Sequence, residues 1–157
     1  MSKKAKIYMT IVWIVLAIYV LGILYITLFG SRSSGVIFML NLKPFRTISL
    51  YMRWLFDGNR SNNYIPIVNL GVNIIMFMPM GYFLPELFDA LEDFIPYALV
   101  CFAFVMIIEI VQFFTRLGSC DVDDVLLNML GAVIGYILCR FIHNFVAGMK
   151  QKKTEKK

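Results

Sequence analysis

From Ile7 to Phe29 the chain runs for about 23 residues without a charge, enough for one helix to cross a hydrocarbon core of about 30 Å. Three further stretches of similar length and character follow, at about 65–84, 94–114 and 122–142. This pattern leaves few folds open, because backbone in lipid must satisfy its own hydrogen bonds and therefore forms helices or closed barrels. Composition agrees. Of 157 residues 60% are apolar and 16% are charged, where a soluble domain carries closer to about a quarter. The reading is an all-α polytopic membrane protein in one domain, 1–157, with four transmembrane helices.

A lysine cluster, Lys3, Lys4 and Lys6, precedes the first apolar run, and no A-x-A-like cleavage site follows it. That run is expected to be a retained span, not a signal peptide. The net charge of +5 sits largely in two basic tails, 1–6 and 150–157, of the kind that rests on anionic headgroups. No basic groove interleaved with aromatics is present, which argues against nucleic acid as a partner; membrane lipids are the expected neighbours. Cys101, Cys120 and Cys139 form no CxxC pair and imply no disulfide framework.

Between the first and second spans, a segment at about 36–57 alternates apolar residues with charge. Read as a helix from Phe45, it places Arg46, Ser49, Arg53 and Asp57 on one narrow stripe, with Tyr51 and Trp54 as anchors. It is expected to be an amphipathic helix lying in the interface, or partly re-entrant because Pro44 interrupts the segment. In the second span Pro79 predicts a kink near Gly81, and Pro85 an end. Asp93 is placed to cap the third span. Gly131 and Gly135, four apart in the fourth, allow close approach of another helix, in this chain or in an oligomer. Lysine and arginine counts, nine on the side of the termini and six on the other, place both termini in the cytoplasm.

The stretch from Glu109 to Gly135 sets a polar knot where lipid should be. Glu109, Gln112 and Arg116 are spaced three and four apart, as are Asp121, Asp124, Asn128, Gly131 and Gly135, so each set falls on one helical face. Asn69 and Asn73 share a face of the second span. At 1.5 Å per residue they lie roughly 6–13 Å in from the outer surface, Glu109 lies about 7 Å in, and Asn128 about 6 Å below Asp124. Three helices thus bring polar groups to one level of the outer leaflet. An ionisable residue inside a membrane defaults to a functional reading and must find a partner, water or a proton. For Glu109, pairing with Asn69, Asn73 or Asn128 and protonation are all open. Asp123 is expected to cap its own helix. The asparagines can also be plain interhelical glue.

Four motifs then suggest a family: N-L-K-P-F (Asn41–Phe45), V-N-I-I-M-F-M-P-M-G-Y-F-L-P (Val72–Pro85), E-I-V-Q-F-F (Glu109–Phe114) and R-L-G-S-C-D-V-D-D-V-L-L-N-M-L-G (Arg116–Gly131). Together, and in that order, they resemble the VanZ-like family. The resemblance implies a small bacterial protein of the plasma membrane. It also implies a link to low-level resistance to the glycopeptide teicoplanin, which the founding member confers without altering the peptidoglycan precursor peptide. Asn41, Pro44, Phe45, Asn73, Pro79, Gly81, Glu109, Gln112, Arg116, Asp121, Asp124, Asn128 and Gly131 match its recurrent positions.

The candidate binding residues are accordingly Asn69, Asn73, Glu109, Gln112, Arg116, Asp121, Asp124 and Asn128, with Arg46 and Arg53 beside them. The first functional expectation is a non-enzymatic protein that lowers access of lipophilic glycopeptides at the outer leaflet. Its polar pocket, beside a cationic interfacial helix, would hold an amphiphile, with Arg46 and Arg53 for the anionic head, Arg116 and Asn73 deeper and apolar helix faces for the tail, or the lipoglycopeptide itself. The alternatives are a metal-dependent enzyme on a phosphate-bearing lipid, a flippase or carrier for one, and a scaffold. The D-x-D-D run could offer oxygen ligands, but no nucleophile, nearby histidine or phosphate-binding glycine loop accompanies it. No catalytic residue, cofactor or metal ligand is therefore assigned.

Overall fold

A computed structural model describes residues 3–33, 40–56, 64–116 and 120–154. Helix α1 (Lys3–Ser33) is followed by a two-residue strand β1 (Leu40–Asn41) and a short helix α2 (Arg46–Phe56). Helices α3 (Tyr64–Phe77) and α4 (Met80–Leu87) come next, then a 3₁₀ turn (Asp89–Leu91) and α5 (Phe94–Thr115). Strand β2 (Cys120–Asp121) leads directly into α6 (Val122–Thr154). Among the described residues four helical stretches are long and apolar enough to cross a membrane: Lys3–Thr27, Ile67–Leu87, Phe94–Thr115 and Val122–Met149. This is a membrane protein.

The second crossing is built from two helices. Pro79 has no N–H to give to the preceding turn, so α3 stops at Phe77 and α4 restarts at Met80. Tight turns bridge the break, with Gly81 N donating to Met78 O at 3.0 Å and Phe83 N to Pro79 O at 3.1 Å. Pro85 does not end this helix as expected. It costs one donor, yet the chain keeps its course to Leu87 and turns extended at Phe88. Asp93 does occupy the cap position of α5 in an extended conformation, but its side chain makes no capping bond; only its carbonyl accepts, from Tyr97 N. Helix α6 continues well past Ile142, carrying the start of the basic tail as helix.

Helix α6 is the axis of the bundle, packed on α3, α4 and α5. The reason lies in its small residues. A Cβ at Gly131 would stand 2.0 Å from Ile74 O, and one at Gly135 would stand 1.9 Å from Met78 O. The second crossing therefore rests backbone to backbone on α6, which only glycine permits. Both glycines are buried in that contact, so an oligomer built through them would have to displace the chain's own α3. Around it Phe77, Tyr97, Cys101, Val105, Ile108 and Ala132 form the core. Tyr97 OH is buried there and donates to Ala132 O at 2.8 Å. Helix α1 is set more loosely, burying Val12 and Ile23 and turning most of its apolar surface outward.

Contacts sort the two ends of the bundle. Tyr8 OH lies 2.6 Å from Tyr82 OH and donates to Glu86, and Tyr136 OH donates to Glu92 O. The start of α1, the connection from α4 to α5 and the later part of α6 thus share one end. The other end carries β1, α2, β2 and the junction of α5 with α6.

Candidate functional site

At that second end the chain closes a polar assembly around the start of α6. Strands β1 and β2 pair in parallel, Leu40 with Cys120 and Asn41 with Asp121, which brings the N-L-K-P-F segment onto the junction. Asp121 caps α6, its Oδ1 accepting from Asp123 N at 2.9 Å. The same carboxylate takes Asn41 Nδ2 at 2.8 Å and the Thr47 hydroxyl at 2.5 Å. Asn41 turns its own oxygen back to Lys43 N, an Asx-type local bond that shapes the loop.

Asp123, which is fully buried, does not cap its own helix as expected. Its Oδ1 accepts from Phe45 N at 2.5 Å, and its Oδ2 from Thr47 N at 2.7 Å and Ile48 N at 3.2 Å. These are the N–H groups at the start of α2, which no intrahelical partner serves. Position 121 already fills the cap of α6, so the next carboxylate, Asp123, is free to cap a helix more than seventy residues away. Phe45 adopts a left-handed conformation, φ 63°, to present its N–H, a strain of about 1–3 kcal/mol for a non-glycine residue.

Two further carboxylates sit beside this latch. Glu109, 4% exposed, accepts from Asp121 N at 3.2 Å. Asp124 accepts from Asn73 Nδ2 at 2.7 Å, which ties α6 to α3. Asn73, Glu109, Asp121 and Asp124 are thus brought together around the start of α6. The other candidates are placed around it. Gln112 is buried and donates to Thr27 O of α1 at 2.7 Å, leaving Oε1 unpaired among the described residues. Asn128 is buried one turn beyond Asp124, and its Oδ1 also has no partner. Asn69 is exposed and donates to Tyr51 OH of α2 at 3.1 Å. Burial, with the Asp124 carboxylate nearby, raises the Tyr51 phenol above its ordinary value.

Arg116 does not extend the stripe of Glu109 and Gln112. Helix α5 ends at Thr115 and Arg116 takes a left-handed cap, φ 53°, which moves it off the helical face into solvent. Arg46 and Arg53 are exposed on α2, and none of the three arginines meets an acid among the described residues. Asp57, the last member of the expected α2 stripe, and the turn around Gly118 lie outside the described residues, as do residues 36–39. No three His, Cys, Asp or Glu side chains among the described residues converge as a metal ligand set.

The family model described as VanZ/LLP1 matches residues 16–143, which include the latch, the glycine contacts and every residue of the polar assembly. The chain belongs to the VanZ/LLP1 family. Protein VanZ of Enterococcus faecium is similar to it, 28% identical over 151 residues, 94% of this chain and 75% of the relative. No solved structure matches. In this VanZ-family chain the residues that sequence reasoning missed are Thr47 and Asp123, and Asn41 as a direct partner of Asp121. The signal available was the N-L-K-P-F motif itself, whose asparagine and turn had no role until β1 met β2.

Cys120 gives a first check on this geometry. It is half-buried on β2, and burial, with Glu109, Asp121 and Asp124 adding negative charge, raises its thiol above the ordinary value. Thiolate is the reactive form, so a raised value means less of it at a given pH. Maleimide labelling of Cys120 at neutral pH should be slower than that of an exposed engineered cysteine, and should accelerate only as pH rises above the usual thiol range. Equal rates at neutral pH would contradict the placement.

Proposed function

We propose that this protein is a VanZ-type resistance protein that acts without catalysis, holding lipophilic glycopeptides or their membrane anchors away from their target at the outer leaflet. One observation carries the reading. Helix α2 presents Arg46 and Arg53 beside exposed Trp54 and Phe56, with Arg116 at the neighbouring junction and no acid paired to any of them among the described residues. Unpaired guanidinium groups next to apolar surface suit an amphiphile with an anionic head, because arginine binds phosphate or carboxylate through two parallel N–H bonds. The lysine and arginine asymmetry supports an orientation with this end outside the cell and both termini in the cytoplasm of a bacterium. In this reading α2 lies in the interface, and the polar assembly beneath it serves to hold it there.

Asp121 and Asp123 are filled by protein donors, so the arginine rim receives the anionic group and the assembly does not. Replacing Arg46, Arg53 and Arg116 together by alanine should abolish resistance and raise teicoplanin association with cells at equal protein level. Unchanged drug association in that variant would remove the rim from the explanation. A metal-dependent enzyme on a phosphate-bearing lipid draws less support, since Asp121 already takes three donors and the remaining carboxylates do not converge.

A further inference from the structure

The four carboxylates of the assembly divide into two unlike pairs. Asp121 and Asp123 each accept three protein donors, which commits them to holding β1 and α2 in place. Glu109 and Asp124 accept one donor each among the described residues, from Asp121 N and from Asn73. No lysine or arginine among those residues pairs with any of the four. A second observation points the same way. Asn128 is 2% exposed and its Oδ1 has no partner among the described residues. The residues a turn to either side of it on α6 both meet α3, Asp124 at Asn73 and Gly131 at Ile74, so Asn128 stands on the same face of α6. Buried polar atoms are nearly always paired, and here the surplus consists of acceptors alone.

We propose that Glu109, Asp124 and Asn128 bind a primary ammonium group. An ammonium carries three N–H donors and no acceptor, so one group can serve three acceptors from different side chains around it. A guanidinium is matched best by the two oxygens of one carboxylate, and no three acids among the described residues form a metal ligand set. The group enters from the edge where Asp124 and Asn73 are only half-buried, beneath Tyr51 of α2. This deepens the reading above and rests on it for the anionic part of the ligand: an amphiphile whose phosphate meets the arginine rim and whose amine reaches the seam.

The test uses purified full-length protein in detergent, with binding followed by tryptophan fluorescence and by the thermal unfolding midpoint. The probes are short-chain phosphatidylethanolamine, phosphatidylcholine and phosphatidylglycerol, with soluble ethanolamine as competitor. Phosphatidylethanolamine should bind at least about tenfold tighter than the other two, since charge-assisted hydrogen bonds are at stake. Competition by ethanolamine would assign recognition to the amine from any source; binding of the lipid without such competition would assign it to a headgroup amine. Asn128→Leu should erase the preference while leaving the unliganded protein at least as stable, because it removes a buried acceptor without a partner. Glu109→Gln should weaken phosphatidylethanolamine binding by about tenfold or more.

Equal affinity for phosphatidylethanolamine and phosphatidylcholine, or a preference that survives Asn128→Leu, would overturn the proposal. The rim is tested separately. Arg46→Ala with Arg53→Ala should weaken all three lipids, and if it weakens none while the amine preference persists, the rim reading falls and the ammonium site stands.

Discussion

Replacing Asp123 by alanine should release α2 from the bundle and destabilise the protein by about 3–5 kcal/mol, less than three charge-assisted bonds would sum to because their losses are not additive. The carboxylate is fully buried and holds the N–H groups of Phe45, Thr47 and Ile48, none of which has another partner in helix α2. Asparagine keeps one acceptor oxygen and loses the charge, so it should cost less than alanine. Trypsin gives the local readout. Arg46 and Arg53 lie on α2, and cleavage there should become fast in the alanine variant while the four spans persist. Asp93 supplies the control, being an acidic residue at a helix start whose side chain makes no capping bond. Asp93→Ala should stay within about 0.5 kcal/mol of the parent. If Asp123→Ala resists trypsin as the parent does, the latch is not what holds α2.

That latch also marks the boundary of what the sequence reveals. Helix periodicity placed Asp121, Asp124 and Asn128 on one face and Asn69 and Asn73 on another, and depth along the spans brought them level, but which acid Asn73 serves was not legible: it donates to Asp124, while Glu109 accepts from Asp121 N. The four spans were legible, because backbone in lipid must form its own hydrogen bonds, and so was the break at Pro79; Pro85, six residues on, shows that a proline alone does not decide where a helix ends. Asp123 was not legible. Its spacing fits capping of its own helix, and only the parallel pairing of Asn41 with Asp121 reveals a second helix start needing a carboxylate. Two strands of two residues leave no periodic signal, and their partners are eighty positions apart. Arg116 was misplaced for a related reason: spacing extends a stripe, but says nothing of where the chain takes a left-handed cap and leaves the helix.

The two pairs of carboxylates then explain how a polar assembly can be both a brace and a site. Asp121 and Asp123 each take three protein donors, which fix β1 and α2 over the junction and cap α6. Because that frame is closed by protein donors, Glu109 and Asp124 are held beside it without being consumed by it. Rigid surroundings with a few unspent polar atoms are the usual make-up of a binding site. On the proposed reading, cations on α2 above acceptors in the α3–α6 seam would recognise the two ends of a zwitterionic head.

That seam depends on the glycines, which leads to the second large effect. Gly135→Ala should destabilise the protein by about 3 kcal/mol, at the upper end of what overpacking costs. The added Cβ would stand 1.9 Å from Met78 O, a backbone atom that cannot rotate away, so α3 and α6 must separate. Gly131→Ala meets Ile74 O at 2.0 Å and should behave alike, and Gly81 faces the same seam from the other side, at 2.1 Å from Gly135 C. Separation there also draws Asn73 from Asp124, so these variants should lose any amine preference along with stability. Gly22, Gly71 and Gly148 have open space where a Cβ would go. Alanine at those helical positions should be neutral or stabilising by up to about 1 kcal/mol, since glycine is the poorer helix former. The opposite signs, read as unfolding midpoints in one detergent, separate a packing contact from a general intolerance of substitution. A neutral Gly135→Ala would mean that α3 does not rest on α6 as described, and the amine site between them would have no walls.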